Sequence, residues 1–422
     1  VSGIWSRVPR YPTQIWLLFW GTLTGSIGQS IVWPFLVIVI RERVHVPLTT
    51  VTLLFTLQSV AGFAATTVLG PMMDRFGRKR AMLVGLISSG LVLAAMSQAN
   101  TLAMWAVLLP AYGMVNTMFR IGSYAMVADL VEPQRRADTY ALLRMGDNLG
   151  IVIGPTIGAF LASATYALSY LLAASTQFIL FVFVVMIVHE TLPQRNPSQS
   201  GLMLTPPKGS SGYGPLLHDW TFLRVWGLYI LVNIASSMVF VLLGAYMKEN
   251  FGIQENDYGK VIGANAAMVV LFQFTVTRYT IKHSPLPIIG IGALFYASGL
   301  FIYAISQGFY GFLFGMMVMT CGELMISPTT TALVANIAPP EMRARYMGAF
   351  ALSFRVGAGI GPVLGGLLSD NIAPVAIWYG GMVFCLIAAA GYFILVRQSS
   401  ANPAIQPLQL QPGSNETSPG DR

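Results

Sequence analysis

The sequence predicts an all-α membrane protein of twelve transmembrane helices, arranged as two pseudo-symmetric six-helix bundles. Three observations predict it. Of 422 residues, 55% are hydrophobic and only 9% charged, whereas soluble domains carry about 25% charged residues. The apolar runs reach the roughly 20 residues that cross a bilayer as a helix, and they are far too long for barrel strands. A set of residues in the first half also recurs in the second at a constant displacement.

Apolar runs bounded by charges and turn residues place the first six helices at 15–40, 49–71, 81–98, 102–129, 138–163 and 166–188. Arg41 and Arg43 follow the first run, Asp74 through Arg80 the second, and Arg135 and Arg136 the fourth. The remaining six helices are expected at 221–247, 257–280, 286–306, 308–335, 344–369 and 372–396. Between the halves, 189–220 is rich in Pro, Gly and Ser and reads as a solvated linker. The end of the chain, rich in Gln, Pro, Asn and Ser, reads as a disordered tail. The expected organisation is an N-terminal bundle (1–188), a linker (189–220), a C-terminal bundle (221–397) and a tail (398–422).

Basic residues set the orientation. One side collects Arg7, Arg10, Arg75, Arg78, Lys79, Arg80, Arg135 and Arg136 from the first half. Arg195, Lys208, Arg224, Arg278, Lys282, Arg343, Arg345 and Arg397 join them from the linker and second half. The other side has only Arg41, Arg43, Lys248 and Lys260. Lys and Arg accumulate in cytoplasmic loops, so a multi-pass protein of the cell membrane is expected, with both termini and the linker in the cytoplasm. The same loops account for the net charge of +8 without a nucleic-acid partner. Cys321 and Cys385 fall inside apolar runs, and no metal site is expected.

The repeat has no gaps. Ala125, Asp129, Pro133, Arg136, Gly150, Gly154, Pro155 and Gly158 return as Ala332, Asn336, Pro340, Arg343, Gly357, Gly361, Pro362 and Gly365, each 207 positions on. After the second run the chain reads Gly70-Pro-Met-Met-Asp74-Arg75-Phe-Gly77-Arg78-Lys79-Arg80. The two glycines permit a tight turn and close helix approach, Asp74 suits a helix end, and the basic cluster suits a cytoplasmic face. This stretch resembles the signature loop of the major facilitator superfamily, Gly-x-x-x-Asp-Arg-x-Gly-Arg-Lys, with every defining position filled. Two parallel six-helix repeats are also that family's architecture, and they imply a substrate site near the midplane between the halves. The resemblance implies a conformational switch built from Gly70, Asp74, Arg75, Gly77, Arg78 and the acid ending the fourth helix, Asp129.

The fifth run contains Gly150-Ile-Val-Ile-Gly154-Pro155-Thr-Ile-Gly158-Ala159. It resembles the antiporter motif of proton-coupled drug exporters, with Ala159 at the final Gly. Small residues at four-residue spacing also let helices pack closely, and Pro155 bends the helix. Those exporters carry an Arg about eighteen residues before the acid that ends the fourth helix. Ala111 stands there in this sequence, so no proton role passes to that position.

Ionisable residues inside membrane helices are costly and point to function. They are Arg120, Arg144, Asp147, Glu323 and Arg355. With helices rising about 1.5 Å per residue, Arg120 and Asp147 lie at similar depth, and Glu323 and Arg355 differ by about one turn. Arg144 and Asp147 are three apart on one helix, hence neighbours. Each acid therefore has an expected basic partner, either as a static salt bridge or as a titrating acid released when its Arg moves. Asp147 and Glu323, with Asp74 and Asp129, match acids of the lactococcal-type multidrug/proton antiporters, a narrower resemblance than that to the superfamily.

No P-loop is present, the four His sit outside the runs without metal spacing, and no enzyme is expected. The leading expectation is a secondary transporter: proton-coupled efflux of amphipathic, lipophilic small molecules by alternating access, driven by the proton gradient without a cofactor. Its partners would be substrate, protons and membrane lipids. By helix position the substrate cavity is expected to include Gln29, Trp33, Gln58, Asn116, Asn233 and Asn265. The alternatives are a lipid or glycolipid flippase, an uptake symporter of the same architecture and, remotely, a non-transporting receptor.

Overall fold

The computed structural model describes residues 12–132, 135–162, 165–191, 214–339 and 342–398. Among the described residues, twelve helices are long and apolar enough to cross a membrane. The first half contains α1 (Thr13–Val44), α2 (Leu48–Phe76), α3 (Arg78–Met96), α4 (Leu102–Leu130), α5 (Arg136–Ala162) and α6 (Tyr166–Ile187). The second contains α7 (Trp220–Phe251), α8 (Glu255–Thr280), α9 (Pro285–Ile305), α10 (Phe309–Ile337), α11 (Arg343–Asn371) and α12 (Ala376–Gln398). A tight turn at Trp33–Phe35, where Pro34 interrupts the hydrogen-bond ladder, divides α1. Of the expected linker, residues 189–191 and the short helix Gly214–Leu217 are described; 192–213 and the tail from 399 lie outside the described residues.

Most helices overrun the expected spans at one end or both. The signature stretch is not a loop: α2 continues to Phe76, α3 begins at Arg78, and Gly77 alone is the joint. Backbone hydrogen bonding does not stop where apolar residues do, because solvated charged side chains extend a helix beyond the hydrocarbon. Gly77 has φ 98°, a conformation that an L side chain rarely adopts.

Both halves use the same packing plan. In the first, α1 packs on α5, α2 on α4, and α3 on α4 and α6; in the second, α7 packs on α11, α8 on α10, and α9 on α10 and α12. The glycines of the repeat explain the agreement. Gly150 abuts Ser26, Gly154 abuts Ser30, and Gly158 abuts Ile31 and Phe35, leaving no room for a Cβ. Their counterparts Gly357, Gly361 and Gly365 abut Asn233, Ser237 and the pair Met238 and Leu242. Both members of every contact are displaced by 207. The repeat therefore preserves helix contacts as well as residue types.

Candidate functional site

Because the chain crosses an even number of times, Thr13 and Gln398 lie at one end of the bundle, and the α1–α2 and α7–α8 turns lie at the other. The polar contacts between the halves cluster at that far end. Arg41 on α1 makes a bidentate pair with Glu249 on α7, at 2.8 and 2.7 Å. Lys248 on α7 is shared by Glu42 of the first half and Glu255 of the second, and Glu255 also accepts from the Tyr166 hydroxyl of α6. Asp370, ending α11, accepts from the backbone N–H groups of Leu48 (3.3 Å) and Thr49 (2.7 Å) and from the Thr49 hydroxyl (2.7 Å). A carboxylate from one half thus caps a helix N-terminus of the other, where the helix dipole favours negative charge. About two turns deeper on α2, the Thr56 hydroxyl donates to the Gly359 carbonyl at 2.5 Å.

Deeper still lie the mid-span ionisable residues. Arg120 and Arg144 are exposed, and Asp147, Glu323 and Arg355 are half-buried. Arg120 on α4 is near enough to Arg355 on α11 to act on it as a like charge, and Tyr229 on α7 lies within electrostatic reach of Glu323 and Arg144. Arg355 extends toward α2, its Nη1 lying 3.7 Å from where a Gly62 Cβ would stand.

The expected ion pairs are not made. Among the described residues, ion pairs join Arg41–Glu249, Arg78–Asp129, Lys248–Glu42, Lys248–Glu255 and Lys260–Asp257, with neither Arg120–Asp147 nor Glu323–Arg355 among them. Equal depth was insufficient, because α4 and α5 barely touch, nor do α10 and α11, each packing instead on other helices. Glu323 accepts a hydrogen bond from Asn265 Nδ2 at 2.8 Å, and the same amide reaches Thr320 Oγ1 at 2.9 Å. Glu323, Asn265 and Thr320 correspond by the 207-residue displacement to Asn116, Gln58 and Gly113. The corresponding positions of the first half carry no acid, and among the described residues Gln58 Oε1 has no hydrogen-bond partner there.

The other expected cavity residues divide. Gln58 is buried on Gly113, and its Oε1 has no hydrogen-bond partner among the described residues. Asn116 lies beside the Tyr112 side chain one turn back on its own helix. Asn233 sits in the α7–α11 contact and donates to the Tyr229 carbonyl at 2.9 Å. Gln29 and Trp33 line a small crevice with Leu93, Met96 and Tyr112 inside the first half, and Trp33 meets Phe55 edge-on.

At the terminal end, Arg78 pairs with Asp129 at 2.9 Å, joining the start of α3 to the end of α4. The backbone of Gly70, Asp74 and Arg75 runs in α2; their side chains lie outside the described residues. Sequence reasoning missed the partner of this joint. Glu190, just beyond α6, accepts from the N–H groups of Arg78 and Lys79, both at 3.0 Å, and Thr191 donates to Asp129 at 2.8 Å. The Glu190 carboxylate occupies the space that a Gly77 side chain would need. The available signal was an acid immediately following a span on the basic side. The far-end network was missed as well, although its cations, Arg41 and Lys248, were among the few on that side.

The Major Facilitator Superfamily profile matches residues 18–231 and 225–415. A Na(+), Li(+), K(+)/H(+) antiporter of Planococcus maritimus is 25% identical over 391 residues, covering 85% of this chain and 88% of its own. Multidrug resistance protein 1 of Bacillus subtilis (strain 168) is 23% identical over 340 residues, 78% of this chain and 83% of its own. Among solved structures, a bacterial homolog of the human lysosomal transporter Spinster, inward-facing and unoccupied, superposes with a TM-score of 0.74 at 13% identity, covering 91% of this chain and 96% of its own. Twelve helices in two repeats, the signature joint at Gly77 and a match over most of the chain agree: this protein is a transporter-type member of the Major Facilitator Superfamily.

Proposed function

We propose that the protein is a proton-coupled exporter of amphipathic small molecules that works by alternating access in the cell membrane, with both termini cytoplasmic. The observation that carries this reading is Glu323. Its carboxyl group lies half-buried within a membrane helix, and its close partner is the neutral amide of Asn265. An ionised carboxylate is costly there, so a proton is readily held and exchanged. The far end is tied by the Asp370 cap and the Lys248 cluster, which supports reading this arrangement as the state that opens toward the cytoplasm. Opening the far end would admit protons to Glu323 and Asp147, and closing it would deliver them inward against outgoing substrate. Arg78, Asp129 and the signature residues Gly70, Asp74, Arg75 and Gly77 would set the balance between states. The Gly150, Gly154, Pro155 and Gly158 face would keep α5 seated on α1 during the movement. The names of the two relatives, a cation/proton antiporter and a multidrug resistance protein, favour this direction and coupling.

Proteoliposomes with and without a pH gradient test it. Glu323→Gln, which mimics permanent protonation, should abolish gradient-driven flux while leaving downhill exchange of substrate and thermal stability near the parent. Gradient-driven pumping at the parental rate by this variant would remove Glu323 from the proton path.

A further inference from the structure

From Tyr258 to Gly322 the chain carries no carboxylate, yet it carries Lys260, Arg278 and Lys282. Lys260, at the far end of α8, pairs with Asp257 at 2.7 Å. Arg278 and Lys282 stand at the other end of the helix, and among the described residues neither has an ion-pair or hydrogen-bond partner for its side chain. Other cations on that side are committed to the protein: Arg78 to Asp129, Lys79 to the Val185 carbonyl, Arg136 to the carbonyls of Val131 and Ala128. Nor are Arg278 and Lys282 consumed in ending α8. The carbonyls of Thr277, Tyr279 and Thr280 accept instead from the backbone N–H groups of Ile281, Lys282 and His283.

Four apart on one helix, the two cations share a face, with about 5–6 Å between their Cβ atoms. Together with Phe274, Thr275 and Tyr279 they line an open crevice of about 330 Å³. Leu271, Thr275, Arg278 and Lys282 follow the spacing of a single helical stripe, so the crevice runs on into apolar surface. Leu271 is 68% exposed and Phe274 75%, and such surface on a membrane helix is covered by acyl chains. At about 1.5 Å per residue, α8 places Arg278 about 35 Å from Glu255, just beyond a hydrocarbon layer of about 30 Å. The cations therefore reach headgroup level, and the apolar side chains lie within the hydrocarbon.

These features select a ligand. A phosphate diester with one negative charge fits between two cations through charge-assisted hydrogen bonds. A zwitterionic headgroup would bring its own ammonium against the second cation, and a soluble anion would leave Phe274 and Leu271 uncovered. We propose that this end of α8 is a binding site for an anionic phospholipid, whose phosphate is held by Arg278 and Lys282 while its acyl chains lie along Phe274 and Leu271. The same helix carries Asn265, the partner of Glu323, and Gly259, which meets α5. The lipid is thus seated on an element of the candidate site.

The test uses the purified full-length protein in detergent, with bound lipids resolved by native mass spectrometry. Phosphatidylglycerol and phosphatidylcholine with identical acyl chains are the lipid probes, and glycerol phosphate is the soluble one. The first phosphatidylglycerol should bind about ten-fold or more tightly than phosphatidylcholine. Arg278→Gln and Lys282→Gln should each weaken it by about five-fold, and the double variant by about thirty-fold, with phosphatidylcholine unaffected. Phe274→Ala should weaken both lipids, whereas Lys260→Gln, at the opposite end of the helix, should bind phosphatidylglycerol as the parent does. Melting curves check folding, and the single variants carry the test if the double variant is unstable. Equal binding of the two lipids, phosphatidylglycerol binding undiminished without the two cations, or glycerol phosphate bound as tightly as the lipid would overturn the inference.

Discussion

The two seams between the halves are related by the repeat, yet they are built differently. Along the α2–α11 seam, Thr49 meets Asp370, Thr52 meets Gly366, Thr56 bonds to Gly359, and Arg355 lies beside Gly62. Along the α5–α8 seam, Ala159 meets Gly259 and Thr156 faces Gly263, with Tyr166 on Glu255 at the rim. Thr52 corresponds to Gly259 and Ala159 to Gly366, each 207 apart, so the small residue has changed sides between the seams. The first seam is a ladder of directional hydrogen bonds that ends at a charge. The second is a smooth small-residue contact, where van der Waals packing acts without directional bonds. Separation of the halves should therefore be all-or-none along α2–α11 and gradual along α5–α8.

The largest effect should come from Gly366→Ala. The new Cβ would lie 2.7 Å from Thr52 Oγ1 and 2.9 Å from Thr49 Cα, an overpacking of about 1–3 kcal/mol. Alkylation of a cysteine placed at Thr56, applied from the far side, should increase. The exchange Ala159→Gly with Gly259→Ala moves one methyl across the other seam, where the two Cβ positions are 2.5 Å apart. It should restore what Gly259→Ala alone loses; no recovery would show that this seam is not the simple contact described.

Lys248→Met comes next. It leaves Glu42 and Glu255 together without their shared cation, a loss of about 1–3 kcal/mol at these partly exposed positions. Melting curves should show a smaller deficit near about pH 5 than near pH 8, because protonation relieves two adjacent carboxylates. Asp370→Asn should cost about 0.5–2 kcal/mol through the α2 cap, read as faster far-side labelling. The smallest effect belongs to Arg41→Lys, below about 1 kcal/mol in a melt, since this pair is exposed despite its good geometry.

Much of the frame was legible in the sequence, because membrane helices announce themselves by length and composition and the repeat is gapless. The Gly150, Gly154 and Gly158 face was readable as a packing surface for the same reason. What was not legible depends on azimuth and on distant partners. Glu323 and Arg355 were placed near one level, but depth says nothing about which way a side chain turns around its helix. Asn265, which holds Glu323, lies 58 positions away, and Asp370 caps α2 from 321 positions away. No local pattern encodes either. Glu190 was passed over because the start of the linker was read as solvated, whereas its carboxylate is committed to the first turn of α3.

The Asp370 cap bears on the electrical integrity of the membrane. Both of its carboxylate oxygens are occupied by α2 donors: Oδ1 by the Leu48 N–H, Oδ2 by the Thr49 N–H and hydroxyl. Held on both oxygens, the carboxylate is fixed across the seam and pins α11 to the first turn of α2. It is also the polar group at the rim of the seam that leads down to Arg355, whose positive charge repels hydronium. The closed end is thus an insulator as well as a latch, and a carrier resting in this state would not short-circuit the resting potential that other membrane proteins spend.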